Sequence, residues 1–282
     1  MRYKGREQSG NVEDRRGMST GKMVAGGSIG TLAIVIIVWL LGGNPAEIIN
    51  KMQSRGTETT EVDPAILEAE SEMAGLAKVV LKETENVWNQ IFSESGKTYR
   101  EPTLVLFSGA AESACGYSSA ATGPFYCPGD EKVYIDLSFL QQLQSQVGAT
   151  GDFAAAYIIA HEVGHHVQKL LGITDQMNDI RSRVSETEYN QYSVRLELQA
   201  DFLAGVWAHY AERTKNLLEE GDLEEAINAA AAVGDDRIMM ESQGYVVPDA
   251  FTHGTSEQRR TWFMKGYQTG DLNQGDTFSS VQ

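Results

Sequence analysis

The segment from His161 to His165 carries the residue types of a zinc site and of a base beside it: His-Glu-Val-Gly-His. Two histidines four residues apart lie on one face of a helix, about one turn from each other, so both imidazoles can reach a single metal ion. Histidine nitrogens bind zinc at roughly 2.0–2.1 Å. Glu162 projects beside the metal, where a carboxylate can remove a proton from a zinc-bound water. The segment therefore predicts His161 and His165 as zinc ligands and Glu162 as the general base.

An apolar run leads directly into this motif and predicts the helix that positions it. Residues 153–160 are Phe, Ala, Tyr and Ile only, and Gly172 follows the apolar residues after the motif. Glycine is the usual residue just beyond a helix C-terminus. We expect a helix over about 153–171, apolar nearly all round in its first half, as in a helix inside a core. Buried polar histidines there are costly unless they bind a metal.

The third zinc ligand has to come from outside this helix. The extended pattern with a third histidine needs Gly at 168 and His at 171, and the chain has Gln168 and Leu171. A glutamate on a later helix is the other common choice. Residues 187–213 predict that helix, and Glu197 lies within its apolar part. We predict Glu197 as the third ligand, with Glu188, in more polar surroundings, as the alternative.

Asp201 lies one turn after Glu197 on the same helix face. It is surrounded by Leu, Ala, Phe and Val, where a solvated surface charge is hard to explain. A carboxylate that accepts the second N–H of a liganding histidine fixes its tautomer and makes it a better ligand. We predict this role for Asp201. His166, about 100° around the helix from His165, is predicted to make a local hydrogen bond instead of binding the metal.

Peptide hydrolysis at zinc also needs a donor for the oxyanion. His253 lies in a loop before a predicted helix that Thr255 or Ser256 would cap. We predict His253 as this donor, with ordinary loop hydrogen bonding as the alternative. Tyr157, Tyr189 and Tyr245 are other donors that the sequence offers. For Arg259 and Arg260, surface ion pairs are favoured over binding of a substrate carboxylate.

An uncharged segment near the N-terminus predicts a membrane anchor. Met23–Gly43 is long enough to cross a hydrocarbon core of about 30 Å, and the 22 residues before it hold six Lys/Arg against three acids. The positive-inside rule then places the N-terminus in the cytoplasm and the rest outside. A cleaved signal peptide is the alternative, but no A-x-A site follows. The predicted order is a cytoplasmic basic tail (1–22), a transmembrane anchor (23–43), a linker (44–65) and one domain (66–282).

The cysteines and the net charge agree with export. Cys115 and Cys127, the only two cysteines, have a spacing that suits a loop-closing disulfide, and two cysteines in an oxidising compartment most simply pair. The formal net charge is −16. An acidic domain of this kind is not attracted to nucleic acid, so no nucleic-acid partner is expected.

The remaining patterns predict an α+β fold, mainly helical, with a small sheet. An amphipathic helix is expected over 68–92 and an Ala-rich one over 223–233. Residues 103–107 and 132–137 are predicted strands. Peptide substrates can add to the edge of a sheet by main-chain pairing. We predict Val133, Tyr134 and Ile135 as that substrate edge, with an ordinary core strand as the alternative.

Several separated motifs together resemble the bacterial neutral zinc metallopeptidases, which are membrane-anchored proteins with an extracytoplasmic domain. The motifs are Asn11–Gly17, Cys115, Gly123–Pro128, Tyr134–Leu137, His161–His166, Glu197–Asp201 and Thr252–Ser256. The resemblance implies a zincin-like domain, one Zn²⁺ held by His161, His165 and Glu197, and Glu162 as base. It implies peptidase chemistry but no particular substrate.

The predicted function is that of a single-pass membrane protein whose periplasmic or extracellular domain is a zinc endopeptidase acting on peptides or proteins. Two alternatives stay open. One is a non-catalytic binding or assembly protein with structural zinc, which would have no need of Glu162. The other is a zinc amidase acting on cell-wall peptide, which would share the same residues and differ only in the shape of its pocket.

Overall fold

The computed structural model describes residues 1–16, 64–119, 123–140 and 151–279. In these residues the protein is mainly helical with small sheets, which confirms the α+β prediction. The predicted anchor at 23–43 and nearly all of the predicted linker lie outside the described residues. Among the helices that are described, none is long and apolar enough to cross a membrane.

The helices follow the predicted periodicities closely. They are α1 (Pro64–Glu94), α2 (Asp152–Leu170), α3 (Ile173–Arg181), α4 (Glu186–Lys215), α5 (Asp222–Ala232), α6 (Asp235–Gln243) and α7 (Ser256–Thr269). The predictions for α1, α2, α4, α5 and α7 are confirmed, with ends that differ by four residues or fewer. The short helices α3 and α6 had not been predicted, because mostly polar helices of nine residues each carry little apolar periodicity.

A mixed four-stranded sheet packs beside the helices, and a two-stranded hairpin stands apart from it. The strands are β1 (Val12–Asp14), β2 (Thr103–Phe107), β3 (Ala110–Ser113), β4 (Gly116–Ser119), β5 (Phe125–Cys127) and β6 (Lys132–Asp136). The sheet order is β1-β2-β6-β5, in which β1–β2 and β2–β6 are parallel and β5–β6 is antiparallel. The hairpin is β3–β4.

The prediction of Val133, Tyr134 and Ile135 as the substrate edge is wrong. These residues belong to β6, which lies between β2 and β5. Tyr134 pairs with Val105 on one side and with Phe125 on the other, so β6 has no free side there. All three side chains are buried. The alternative, an ordinary core strand, is correct. Periodicity indicates a buried strand but not its neighbours in the sheet.

The disulfide between Cys115 and Cys127 is present. It joins the turn of the β3–β4 hairpin to the end of β5. Cys127 is fully buried. The bond therefore fastens the hairpin to the outer strand of the sheet.

The core lies around α2. The helix buries Phe153 and Tyr157 on its N-terminal half and Val163 and Val167 further along. Trp207 of α4 stacks on Phe153, with ring centroids 5.9 Å apart. Burial of such side chains stabilises by about 1.5–3 kcal/mol each. The polar motif of α2 is thus held within a rigid apolar helix pair.

Residues 1–16 are part of this domain, although the sequence predicted residues 1–22 as a separate tail. Strand β1 pairs with β2, and the Arg2 N–H donates to the Leu217 carbonyl at 2.9 Å. Tyr3 is buried, and its hydroxyl donates to Glu72 of α1 at 3.0 Å. The short strand β1 was not predicted, because a strand of three residues is too short to show an alternation of apolar and polar side chains.

Candidate metal centre

The two helices that carry the predicted ligands approach closely at a glycine. Gly164 of α2 lies against Ala200 of α4, and a Cβ at position 164 would be 3.0 Å from the Ala200 carbonyl oxygen. A larger side chain would push the helices apart. The glycine inside the His-Glu-Val-Gly-His segment therefore helps to bring His161 and His165 within reach of α4.

The structure brings His161, His165 and Glu197 together. Among the described residues they form the one set whose ligand atoms suit a metal ion, all within 4.8 Å of one another. The His161 Nε2 atom is 3.1 Å from one carboxylate oxygen of Glu197, and the His165 Nε2 atom is 3.5 Å from the other. Ligands of a tetrahedral zinc ion at roughly 2.0–2.1 Å lie about 3.4 Å apart. Two imidazoles and one carboxylate are also a donor set that zinc prefers, so the residues fit this metal.

Asp201 occupies the position predicted for it. Its Oδ1 atom accepts from the His161 Nδ1–H at 2.8 Å, which leaves Nε2 facing Glu197. Tyr157 donates its hydroxyl to the same oxygen. Because Tyr157 is buried and engaged in this bond, it is not available as an oxyanion donor.

Arg259 also binds Asp201, against the prediction of a surface ion pair. Its Nε donates to Asp201 Oδ2 at 2.8 Å, and an Nη donates to Oδ1 at 3.0 Å. Only 3% of Arg259 is exposed. Burial alone would raise the pKa of Asp201, but the charges of Arg259 and His161 hold that pKa below its usual range. The sequence offered no signal for this contact, because a basic residue in the first turn of a polar helix usually faces solvent.

Helix α7 places Arg259 in the site because its backbone packs directly against the backbone of α4. A Cβ at Gly205 of α4 would lie 2.1 Å from the Phe263 carbonyl oxygen, and one at Gly266 of α7 would lie 2.0 Å from the Phe202 carbonyl oxygen. The N-terminus of α7 is held by a capping box between Thr255 and Gln258, so Thr255 is the cap where the sequence left Thr255 and Ser256 open.

Gln168 orients the second histidine. Its side-chain carbonyl lies 2.9 Å from His165 Nδ1 and accepts from it. The amide nitrogen of Gln168 donates to the Leu196 carbonyl at 2.7 Å and to Gln199 at 3.1 Å. Gln168 is fully buried. The sequence analysis used this residue only to exclude a third histidine, although its i+3 spacing from His165 was a usable signal.

Glu162 lies on α2 next to the first histidine and is largely buried. Among the described residues no hydrogen bond or ion pair occupies its carboxylate. Burial acts to lower the pKa of His165. The charge of Glu197 and, more weakly, the charge of Glu162 raise that pKa above its usual value. A carboxylate without a protein partner beside the ligand set is free to exchange a proton with water.

His253 is placed in a loop that a buried aspartate holds. One Asp235 oxygen accepts from the backbone N–H groups of Thr252, His253 and Gly254 at 2.6–2.9 Å. The other lies 3.1 Å from His253 Nδ1. About half of the His253 side chain is exposed. The hydrogen bond to Asp235 raises the pKa of His253, burial opposes it, and the Glu197 charge raises it further. No pattern in the sequence pointed to Asp235.

The other predicted residues fall outside the ligand set. His166 is buried and lies between the Tyr126 hydroxyl, 3.0 Å from Nδ1, and the Arg100 carbonyl. It makes hydrogen bonds outside the ligand set, as predicted, but these are not local, because the partners lie 40 and 66 residues away in the chain. Glu188 is exposed in the first turn of α4, where its N–H donates to Ser185. Glu188 is therefore not part of the metal-ligand cluster.

Electrostatics of the cluster favour exchange of a proton for a cation. Burial acts to lower the pKa of His161, but the charges of Asp201 and Glu197 outweigh it and raise that pKa to about 10. Burial likewise acts to raise the pKa of Glu197, whereas the two histidines hold it well below its usual range. Without a metal, the site thus retains a proton at neutral pH. A bound divalent cation would replace the positive charge that this proton supplies.

The helical fold brings His161, His165 and Glu197 together as one candidate metal site. The chain belongs to the family described as "Putative neutral zinc metallopeptidase", whose model matches residues 1–278. It is 46% identical over 284 residues to the uncharacterized protein YpfJ of Escherichia coli, with 99% of each chain covered. It is 45% identical over 193 residues to the uncharacterized protein Rv2575 of Mycobacterium tuberculosis, covering 65% of this chain and 64% of that one. No solved structure matches the chain.

Proposed function

We propose that this protein is a zinc-dependent endopeptidase that acts at the membrane, outside the cytoplasm. The observation that carries the proposal is the convergence of the His161 and His165 Nε2 atoms on Glu197. Glu162, whose carboxylate has no partner among the described residues, lies on the same helix as the two histidines. The family description supports zinc and peptidase chemistry. One Zn²⁺ per chain, held by these three side chains, would act as a Lewis acid on the substrate carbonyl and make water more acidic.

Glu162 performs the proton transfers in this proposal. It takes a proton from the attacking water and delivers it to the amine that leaves when the peptide bond breaks. Positioned acid–base groups of this kind typically contribute about 10²–10⁴-fold to a rate. Asp201 and Gln168 keep both imidazoles in the orientation that presents Nε2. His253, held by Asp235, donates a hydrogen bond to the developing oxyanion.

The substrate has a candidate docking edge in β5, in place of β6. In the described part of the sheet β5 is an outer strand, antiparallel to β6. Tyr126 of β5 contacts His166 of α2 through its hydroxyl, so the strand runs beside the motif helix. An extended peptide could pair with the open side of this strand. The disulfide at Cys127 would keep the strand in place.

The disulfide supports the location. A stable bond between Cys115 and Cys127 is expected in an oxidising compartment. Association with the membrane rests on the apolar residues 23–43.

The decisive experiment is Glu162→Gln. We expect the variant to bind zinc as the unsubstituted protein does, because Glu162 is not a ligand, and to lose cleavage by on the order of 10²–10⁴-fold. Zinc would be measured by elemental analysis and cleavage with a peptide library. Glu188→Gln is the matched control, since Glu188 is exposed on α4, and it should retain both properties.

Three outcomes would contradict the proposal. Unchanged cleavage in Glu162→Gln would remove the mechanism. Stoichiometric zinc in the unsubstituted protein without cleavage of any peptide would favour the non-catalytic binding protein. Cleavage of cell-wall peptide amides alone would instead identify the amidase.

A further inference from the structure

Residues 1–16 contact three separate parts of the domain. Strand β1 pairs with β2, and the Arg15 N–H donates to the Leu106 carbonyl at 2.8 Å. The Ser9 N–H donates to the Lys78 carbonyl of α1 at 3.0 Å. An Nη of Arg6 donates to the Lys215 carbonyl at the end of α4 at 2.7 Å. The segment is therefore built into the fold that holds the metal site.

Two buried carboxylates of α1 accept hydrogen bonds from this segment. Glu83 is 5% exposed and accepts from an Nη of Arg6 at 3.0 Å. Glu85 is 1% exposed and accepts from the Ser9 hydroxyl at 2.5 Å and the Asn11 amide at 2.8 Å. Buried carboxylates that lose such partners are strongly unfavourable. The surface of α1 is thus complementary in charge and hydrogen bonding to residues 6–11.

Five of the six basic residues that suggested a cytoplasmic tail have acidic partners within the described residues, and the sixth, Lys22, lies outside them. Lys4 pairs with Glu72 at 2.8 Å, and Arg6 pairs with Glu83. Arg16 pairs with Asp14 at 2.6 Å. Their charges are accounted for by these contacts, which weakens the positive-inside argument for placing the N-terminus in the cytoplasm.

A single membrane crossing between residues 16 and 64 is incompatible with these contacts. It would place β1 and β2 on opposite faces of a hydrocarbon core of about 30 Å, whereas paired strands lie less than 5 Å apart. We propose that residues 1–16 and the metal site lie on the same side of the membrane.

The first test is a cross-link in intact bacterial cells. Lys4→Cys and Glu72→Cys are combined in the full chain, at exposed side chains that touch in the structure. A protease site is inserted near Gly56 to separate the two halves after treatment with a short, membrane-permeant bismaleimide. We expect the halves to stay joined in a product of one chain's mass. In the matched control, Lys4→Cys with Ser93→Cys, they should separate, because Ser93 lies about 30 Å further along α1.

The second test compares labelling by an impermeant maleimide in spheroplasts and after lysis. Gly10→Cys reports on the N-terminal segment, since the space around Gly10 is open, and Ser93→Cys reports on the domain. The native cysteines are paired with each other and serve as background. Labelling of both sites before lysis supports the same-side topology and the external location. Labelling of both only after lysis supports the topology but overturns the external location in the proposed function. The inference is overturned if one of the two cysteines is labelled before lysis and the other only after it. It is also overturned if the Lys4–Glu72 cross-link does not form.

Discussion

Asp201 couples the metal site to α7 because three different side chains donate to its carboxylate. His161 and Tyr157 approach from α2 and Arg259 from α7. A fully buried carboxylate is stable only with such a complete set of donors. The orientation of His161, and hence its quality as a ligand, therefore depends on a residue that never touches the metal.

Substitution of Arg259 tests this dependence. Arg259→Gln removes the charge, and Arg259→Lys keeps it but loses the two-pronged geometry. We expect zinc affinity to fall by about 10–100-fold in Arg259→Gln, with partial recovery in Arg259→Lys. Affinity would be measured by competition with a chelator. Arg260→Gln, which removes an exposed pair with Glu257, is the control and should bind zinc normally. Equal affinity in all variants would contradict the coupling.

The pair of Asp235 and His253 makes a prediction about pH. Asp235 raises the pKa of His253, so the imidazole stays protonated, and able to donate, to a higher pH. Activity that needs this donor is lost as pH rises through the raised pKa. Asp235→Asn keeps an acceptor for the loop N–H groups but lowers the pKa, so the alkaline limb of kcat/KM should move to lower pH. An alkaline limb at the same pH in both proteins would exclude His253 as the donor.

At the scale of elements, glycines set the distances between helices. Gly164 lets α2 approach α4, and Gly205 with Gly266 lets α7 approach α4. These contacts place side chains from three helices around one site. The apolar periodicity of each helix is ordinary. The site therefore depends on close packing between the helices as much as on the sequence of each one.

Gly205→Ala should therefore be costly. Its Cβ would lie 2.1 Å from the Phe263 carbonyl oxygen, and overpacking typically costs about 1–3 kcal/mol. We expect a fall in melting temperature of roughly 2–12 °C and weaker zinc binding, because α7 carries Arg259 away from Asp201. Gly75→Ala is the control: its Cβ would approach only Gln8 at 3.8 Å, and alanine favours a helix interior by about 1 kcal/mol. Similar melting temperatures for the two variants would contradict this packing.

At the scale of the whole molecule, a metal ion held by His161, His165 and Glu197 would join α2 to α4 and should stabilise the entire domain. A ligand that binds only the folded state stabilises it by about 4 kcal/mol at a thousandfold excess over its Kd. Treatment with a chelator should lower the melting temperature, and added zinc should restore it. His165→Ala is the control, because chelation should then change the melting temperature little. An unsubstituted protein that melts at the same temperature with and without chelator would argue against zinc in this site.

Much of the site could be predicted from the sequence because it is encoded by short-range spacing. His161, Glu162 and His165 lie within five residues of one helix, and helical geometry alone places both imidazoles on one face. Glu197 and Asp201 repeat this spacing on the next long helix. Residue composition also indicated an apolar helix pair. These inferences need only local periodicity and residue chemistry.

The remaining features depend on contacts between distant parts of the chain. Arg259 reaches Asp201 across 58 residues, and Arg6 reaches Glu83 across 77. The inner position of β6 and the inclusion of β1 in the sheet likewise follow from pairing between remote strands. The sequence by itself determined which side chains could bind zinc, since neighbours on a helix have fixed relative positions. Only the tertiary structure decided which residues support them and that residues 1–16 share their domain, because such contacts arise from the packing of whole elements.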